Sequence, residues 1–121
     1  MSSPIGGNIL QAAYEVFKSF KTGRKPVERA QLSNIVGVYE QYRSIEMVKL
    51  YLVRQAGRGR ISLEAARTLI EKLEQNYSDR IVELIGLVRW FYDAVENRER
   101  EIDLEGIDRY EEFISRVAGV S

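Results

Sequence analysis

Four cations fall within the twelve residues Lys49-Leu-Tyr-Leu-Val-Arg54-Gln-Ala-Gly57-Arg58-Gly59-Arg60, and no acid stands between Glu46 and Glu64. Guanidinium groups hold phosphate oxygens in pairs, and a glycine-rich backbone lets a phosphate approach closely. Ser62 is a natural N-cap, so a helix start with free N–H groups should follow this run and also favour an anion. Cations at the end of a helix serve a plainer purpose as well, which is to complement its dipole. A second cluster, Lys18, Lys21, Arg24, Lys25 and Arg29, surrounds Thr22-Gly23. Alone, such a loop is only solvated; beside the first cluster it would make a stripe suited to a nucleic-acid backbone. The candidate nucleic-acid-binding residues are therefore Lys49, Arg54, Arg58 and Arg60, with Lys21, Arg24 and Lys25 from the second cluster. Tyr51 lies off the Val48/Leu52 face and is a candidate for a base or ribose contact. Tyr39, Tyr42 and Tyr92 sit at core spacing.

Other chemistries are poorly supplied. The 121 residues include no Cys and no His. Disulfides, zinc sites, haem ligation and imidazole- or thiol-based nucleophiles are excluded. Carboxylates, Lys, Tyr, Ser and Thr remain, and none forms a base poised near neutrality. The expectation is no enzyme, no cofactor and no metal. The stretch Glu101-Ile-Asp103-Leu-Glu105-Gly106 through Glu112 mimics the acid spacing of a calcium loop. Its first position lacks Asp and its eighth is Asp108 where an apolar residue belongs, so it reads as a solvated acidic connection.

The charge is balanced overall, 18 basic against 18 acidic, but unevenly placed. Residues 1–62 carry ten basic and four acidic side chains, a net of +6, and residues 63–121 carry a net of −6. Either a polyanion or an oppositely charged neighbour is implied, or the halves neutralise each other within one fold. No apolar run reaches the ~20 residues of a bilayer span, and Met1-Ser-Ser-Pro does not open a signal peptide. A soluble, cytoplasmic chain is expected.

The elements that must position these residues read as helices, since only Pro4 and Pro26 interrupt the pattern and no strand alternation occurs. Asn8 to Lys21, with Asn8 as N-cap, buries Ile9, Ala13, Val16, Phe17 and Phe20. Pro26 is suited to the first position of the next helix. From Val27 to Ala56 the apolar face drifts by roughly 90° between Leu32/Ile35/Val38/Tyr39/Tyr42 and Ile45/Val48/Leu52/Ala56. That drift requires a bend near Ser44 or burial on two sides. Ser62 opens a helix through Leu73, and Asn76 to Asp79 marks a stop and a start. Ile81 to Val95 is the most apolar stretch and the expected central helix, with Trp90 in the core. A final short helix carries Ile107, Tyr110, Phe113, Ile114 and Val117. The fold class is all-α, a compact bundle of five or six helices in one domain, 1–121.

Segment 31–43, in which Gln31 and Ile35 stand four apart, leads into 48–58, which closes on Ala56-Gly57-Arg58. The pair resembles two helices of the small subunit of type III-A CRISPR–Cas effector complexes, the Csm small subunit. Leu84 to Val95, with Trp90-Phe91-Tyr92-Asp93-Ala94-Val95, looks like that family's later aromatic-rich helix, so the likeness spans roughly residues 26–95. It implies a non-catalytic subunit that stacks in several copies along the complex and touches guide RNA and single-stranded target RNA through their backbones. RNA cleavage belongs to another subunit. Lys49, Arg54 and Arg58 correspond by motif, and Arg60 shares their loop. The implied partners are RNA, the other effector subunits and further copies of the chain, by stacking or as a weak homodimer; no membrane is involved. The alternative is a helical protein–protein adaptor or homodimerisation module with no nucleic-acid role.

Overall fold

The computed structural model describes residues 7–98 and 102–120, and all regular structure among them is helical. Six α-helices follow one another: α1 Gly7–Thr22, α2 Arg29–Tyr42, α3 Ile45–Gly57, α4 Leu63–Lys72, α5 Ile81–Ala94 and α6 Tyr110–Ala118. Each boundary has a local cause. Asn8 lies inside the first turn of α1 and does not cap it. Pro26 sits in an extended link, two residues before the actual N-cap Glu28, which forms a reciprocal capping box with Gln31. The drift of apolar positions resolves as a break. Arg43 takes the left-handed conformation with φ 49°, and the Ser44 hydroxyl then accepts from the Met47 N–H at 3.2 Å to start α3. Between α4 and α5 the chain passes through a π turn, Leu73–Tyr77, and a 3-10 turn, Ser78–Arg80.

The most enclosed helix is α1, where α5 was expected. Ile9, Ala12, Ala13, Tyr14, Val16, Phe17 and Phe20 are all buried, because α4, α5 and α6 pack around it. Phe17 and Phe91 stack with centroids 5.5 Å apart, Phe113 of α6 meets both edge-on, and Tyr92 meets Phe17 edge-on. Such ring pairs contribute roughly 0.5–1.5 kcal/mol each beyond their buried area. By contrast α5 keeps a wet outer face. Trp90 is 74% exposed, with Gly86 and Ala94 one turn to either side, so the expected core tryptophan is a surface residue. Of the tyrosines expected in the core, Tyr92 is buried, Tyr39 is partly so, and Tyr42 is exposed.

The acidic connection is also not loose where it is described. Leu104 and Ile107 are buried, and the Tyr14 hydroxyl donates to the Ile107 carbonyl at 2.6 Å. Gln11 bonds the Asp108 carbonyl and the Tyr110 N–H, fastening the start of α6 to α1. Glu101, the first position of the calcium-like stretch, lies outside the described residues. Among the described residues no three acids form a metal-holding group, and no helix is long and apolar enough to cross a membrane.

Candidate nucleic-acid interface

The loop after α3 is fixed by its own backbone. Arg60 N–H bonds the Gln55 carbonyl at 2.9 Å and Gly59 N–H bonds the Ala56 carbonyl at 3.0 Å, while Gly59 takes φ 74°. This is a Schellman turn, in which a glycine takes the left-handed position without a Cβ clash. Ile61 is buried beneath the loop, and the Ser62 hydroxyl accepts from Ala65 N–H to open α4. With Ile61 inward, Arg58 and Arg60 are left exposed on either side of Gly59.

The loop after α1 is held just as firmly. Val27 N–H donates to the Phe20 carbonyl at 2.9 Å, and its own carbonyl accepts from the Tyr92 hydroxyl at 2.7 Å. Val27 is buried, and Arg24 and Lys25 before it are exposed.

These two loops meet. A Cβ placed on Gly23 would lie 2.6 Å from Ser62 Oγ, so only glycine permits this approach. Val27 and Ile61 line one small gap together with Phe20 and Leu52. The juxtaposition on which the stripe depends is therefore present.

Ion pairing sharpens the pattern. Among the described residues, three cations of residues 1–62 are bound by acids of the second half: Lys18 by Asp108 at 3.1 Å, Arg29 by Asp93 at 2.7 Å, and Lys49 by Glu74 at 3.1 Å. The halves thus neutralise each other in part. Lys49 also holds Glu46 at 3.1 Å, and these two carboxylates raise its pKa. Its side chain is committed to the α3–α4 seam and does not join the loop cluster. Lys21 lies over the Tyr92 ring, 5.2 Å from its centroid, beside the open cleft between α1, α2 and Leu104. Arg43 lies over Tyr39 at 5.7 Å. Six cations of the first half are exposed without an ion pair among the described residues: Arg24, Lys25, Arg43, Arg54, Arg58 and Arg60. Four lie on the two abutting loops, and Arg54 is one turn before Arg58.

Tyr51 does not share this surface. It packs half-buried on the core edge between Gln31 and Ile35, and its hydroxyl accepts from Gln55 at 3.3 Å. Arg67, on α4, is exposed and without an ion pair among the described residues, and the sequence reading passed over it. Its only signal was its place one turn after Leu63.

Chemically, the cluster offers positive charge on rigid backbone that no ion pair among the described residues neutralises, although Glu64 and Glu71 line the cleft beside Gly23 and Arg24. Phosphate oxygens suit it; base edges do not, because nothing beside it reads donors and acceptors. The sequence matches no protein-family model and no curated protein.

Proposed function

We propose that the chain is a non-catalytic RNA-binding subunit of a ribonucleoprotein, of the kind found as the small subunit of type III-A CRISPR–Cas effector complexes. It holds guide and target RNA by their phosphates, without sequence preference, in the cytoplasm. The observation that carries the reading is the meeting of the two loops at Gly23 and Ser62, which gathers Arg24, Lys25, Arg58 and Arg60 at one end of the bundle. The likeness of segments 31–43 and 48–58 to the Csm small subunit supplies the assembly. Absence of a base poised near neutrality fits a subunit that leaves cleavage to another chain.

Binding to unrelated single-stranded RNAs tests the first part. Affinity should differ little between sequences and fall linearly in log–log form with salt. A protein–protein adaptor with no nucleic-acid role would show no such binding. Co-expression with the genes beside its own tests the second part: the chain should co-purify with guide RNA and further subunits.

A further inference from the structure

Trp90 is the most exposed large apolar side chain among the described residues, and its surroundings leave it bare. Gly86 and Ala94 stand one turn to either side of it on α5. Glycine weakens a helix interior. A Cβ at Gly86 would meet nothing within 4 Å, so no neighbour requires the glycine there. Its effect is to leave open space beside the indole, enough for a flat group. The acids nearest on this face are neutralised within the fold: Glu83 is held by Arg80 at 2.9 Å and Asp93 by Arg29 at 2.7 Å. Glu96 lines the neighbouring cleft together with Lys21. Arg89, next to Trp90, bonds the Ser33 hydroxyl at 2.7 Å and has no ion pair among the described residues.

The position of the indole matters as much as its exposure. The Tyr92 hydroxyl donates to the Val27 carbonyl and Asp93 holds Arg29, and both partners come just after Arg24 and Lys25 in the chain. The end of the α1–α2 loop is therefore fastened to α5 within one turn of Trp90. An RNA whose phosphates lie on Arg24 and Lys25 passes within reach of the indole. We propose that Trp90 is a stacking platform for one unpaired base of that RNA. The proposal rests on the RNA-backbone reading above and adds that the strand is single where it crosses α5. Stacking is sequence-tolerant, because every base has a π-face, so the lack of sequence preference is kept. Bases inside a duplex are already stacked, and it is splayed single-strand bases that aromatic side chains take up. A protein interface needs about 800 Å² from each partner. Val82, two turns away, is the one other exposed large apolar residue of α5, so the bare area fits a base better.

Trp90 is the single tryptophan, so its fluorescence reports the contact directly. The full chain is titrated with three radiolabelled ligands of about ten nucleotides: an oligouridylate, a ribose–phosphate oligomer without bases, and an RNA duplex. Filter retention gives each affinity without using the tryptophan. All three should bind through their phosphates, and only the oligouridylate should quench Trp90. Trp90→Ala should weaken the oligouridylate by roughly 5- to 150-fold and leave the base-free oligomer as in wild type. The salt slope should not change, because no charge is removed. Trp90→Phe, which keeps a ring, should retain most of the affinity, and circular dichroism confirms that both variants are folded. Retention of oligouridylate without quenching, quenching by the base-free oligomer or the duplex, or a Trp90→Ala loss that is absent or equal for both oligomers overturns the stacking proposal while the RNA-backbone reading stands. A Trp90→Ala protein with full RNA affinity would leave this face to a protein partner. Failure of all three ligands to bind overturns both.

Discussion

Gly23 and Ser62 are in such close contact that a single methyl group on residue 23 would fall 2.6 Å from the Ser62 hydroxyl. Two loops remote in sequence are joined at that point, and each presents its cations outward from a buried apolar anchor, Val27 or Ile61. Gly23→Ala should force them apart and cost about 1–3 kcal/mol of stability. Adding Ser62→Gly, which by itself costs only a few tenths of a kcal/mol as a cap change, should recover most of that loss. Denaturant melts of the two single variants and the double variant check it; strictly additive losses would mean that the contact does not constrain the loops.

Trp90 and Phe91 are neighbours with opposite fates. Phe91→Ala removes a ring stacked on Phe17 and should cost about 3–5 kcal/mol, while Trp90→Ala should stay within about 0.5 kcal/mol of wild type. Urea unfolding of both variants decides this, and acrylamide should quench the fluorescence of the single tryptophan readily in the native state.

Tyr14 links stability to alkaline pH. Its pKa is pushed up to about 12, first by burial and then by the Asp108 and Glu112 carboxylates, from the value of 10.0 in an unfolded chain. The folded protein keeps a proton that the unfolded chain releases. Its contribution is therefore complete below pH 10 and is lost as pH rises from 10 towards 12. Tyr14→Phe should flatten this part of the stability curve, and Lys18 would still donate to the Ile107 carbonyl at 3.1 Å. Unfolding midpoints measured across that pH interval give the comparison; equal alkaline slopes would contradict the assignment.

Sequence alone was most informative where one residue type had one use. Ser62 and Gly59 gave their elements away, and the apolar drift offered a bend near Ser44 as one of two readings. It was least informative about which side of a helix faces water. The run Ile81 to Val95 is apolar nearly all round, so nothing in it distinguished Trp90 from Phe91. Enclosure of α1 depends on α4, α5 and α6 arriving from elsewhere in the chain, which periodicity within α1 does not report. In the candidate site, Arg54, Arg58 and Arg60 were legible as cations without nearby acids. Lys49 already had Glu46 three residues before it, and the fold added Glu74, twenty-five residues away, to its ammonium. Arg67 was hidden for the converse reason: Glu64 and Glu71 flank it in sequence, yet neither pairs with it.

The most direct measurement is the salt dependence of binding to one single-stranded RNA by wild type, Arg58→Ala/Arg60→Ala and Lys49→Ala. Each lost phosphate contact should reduce the log–log slope by about 0.7, so the double variant should lose about 1.4 and bind every RNA sequence more weakly to the same degree. Lys49→Ala, whose ammonium is already bound by Glu46 and Glu74, should keep the wild-type slope. A folded Arg58→Ala/Arg60→Ala protein with unchanged affinity and slope would contradict the assignment of this loop to the RNA backbone.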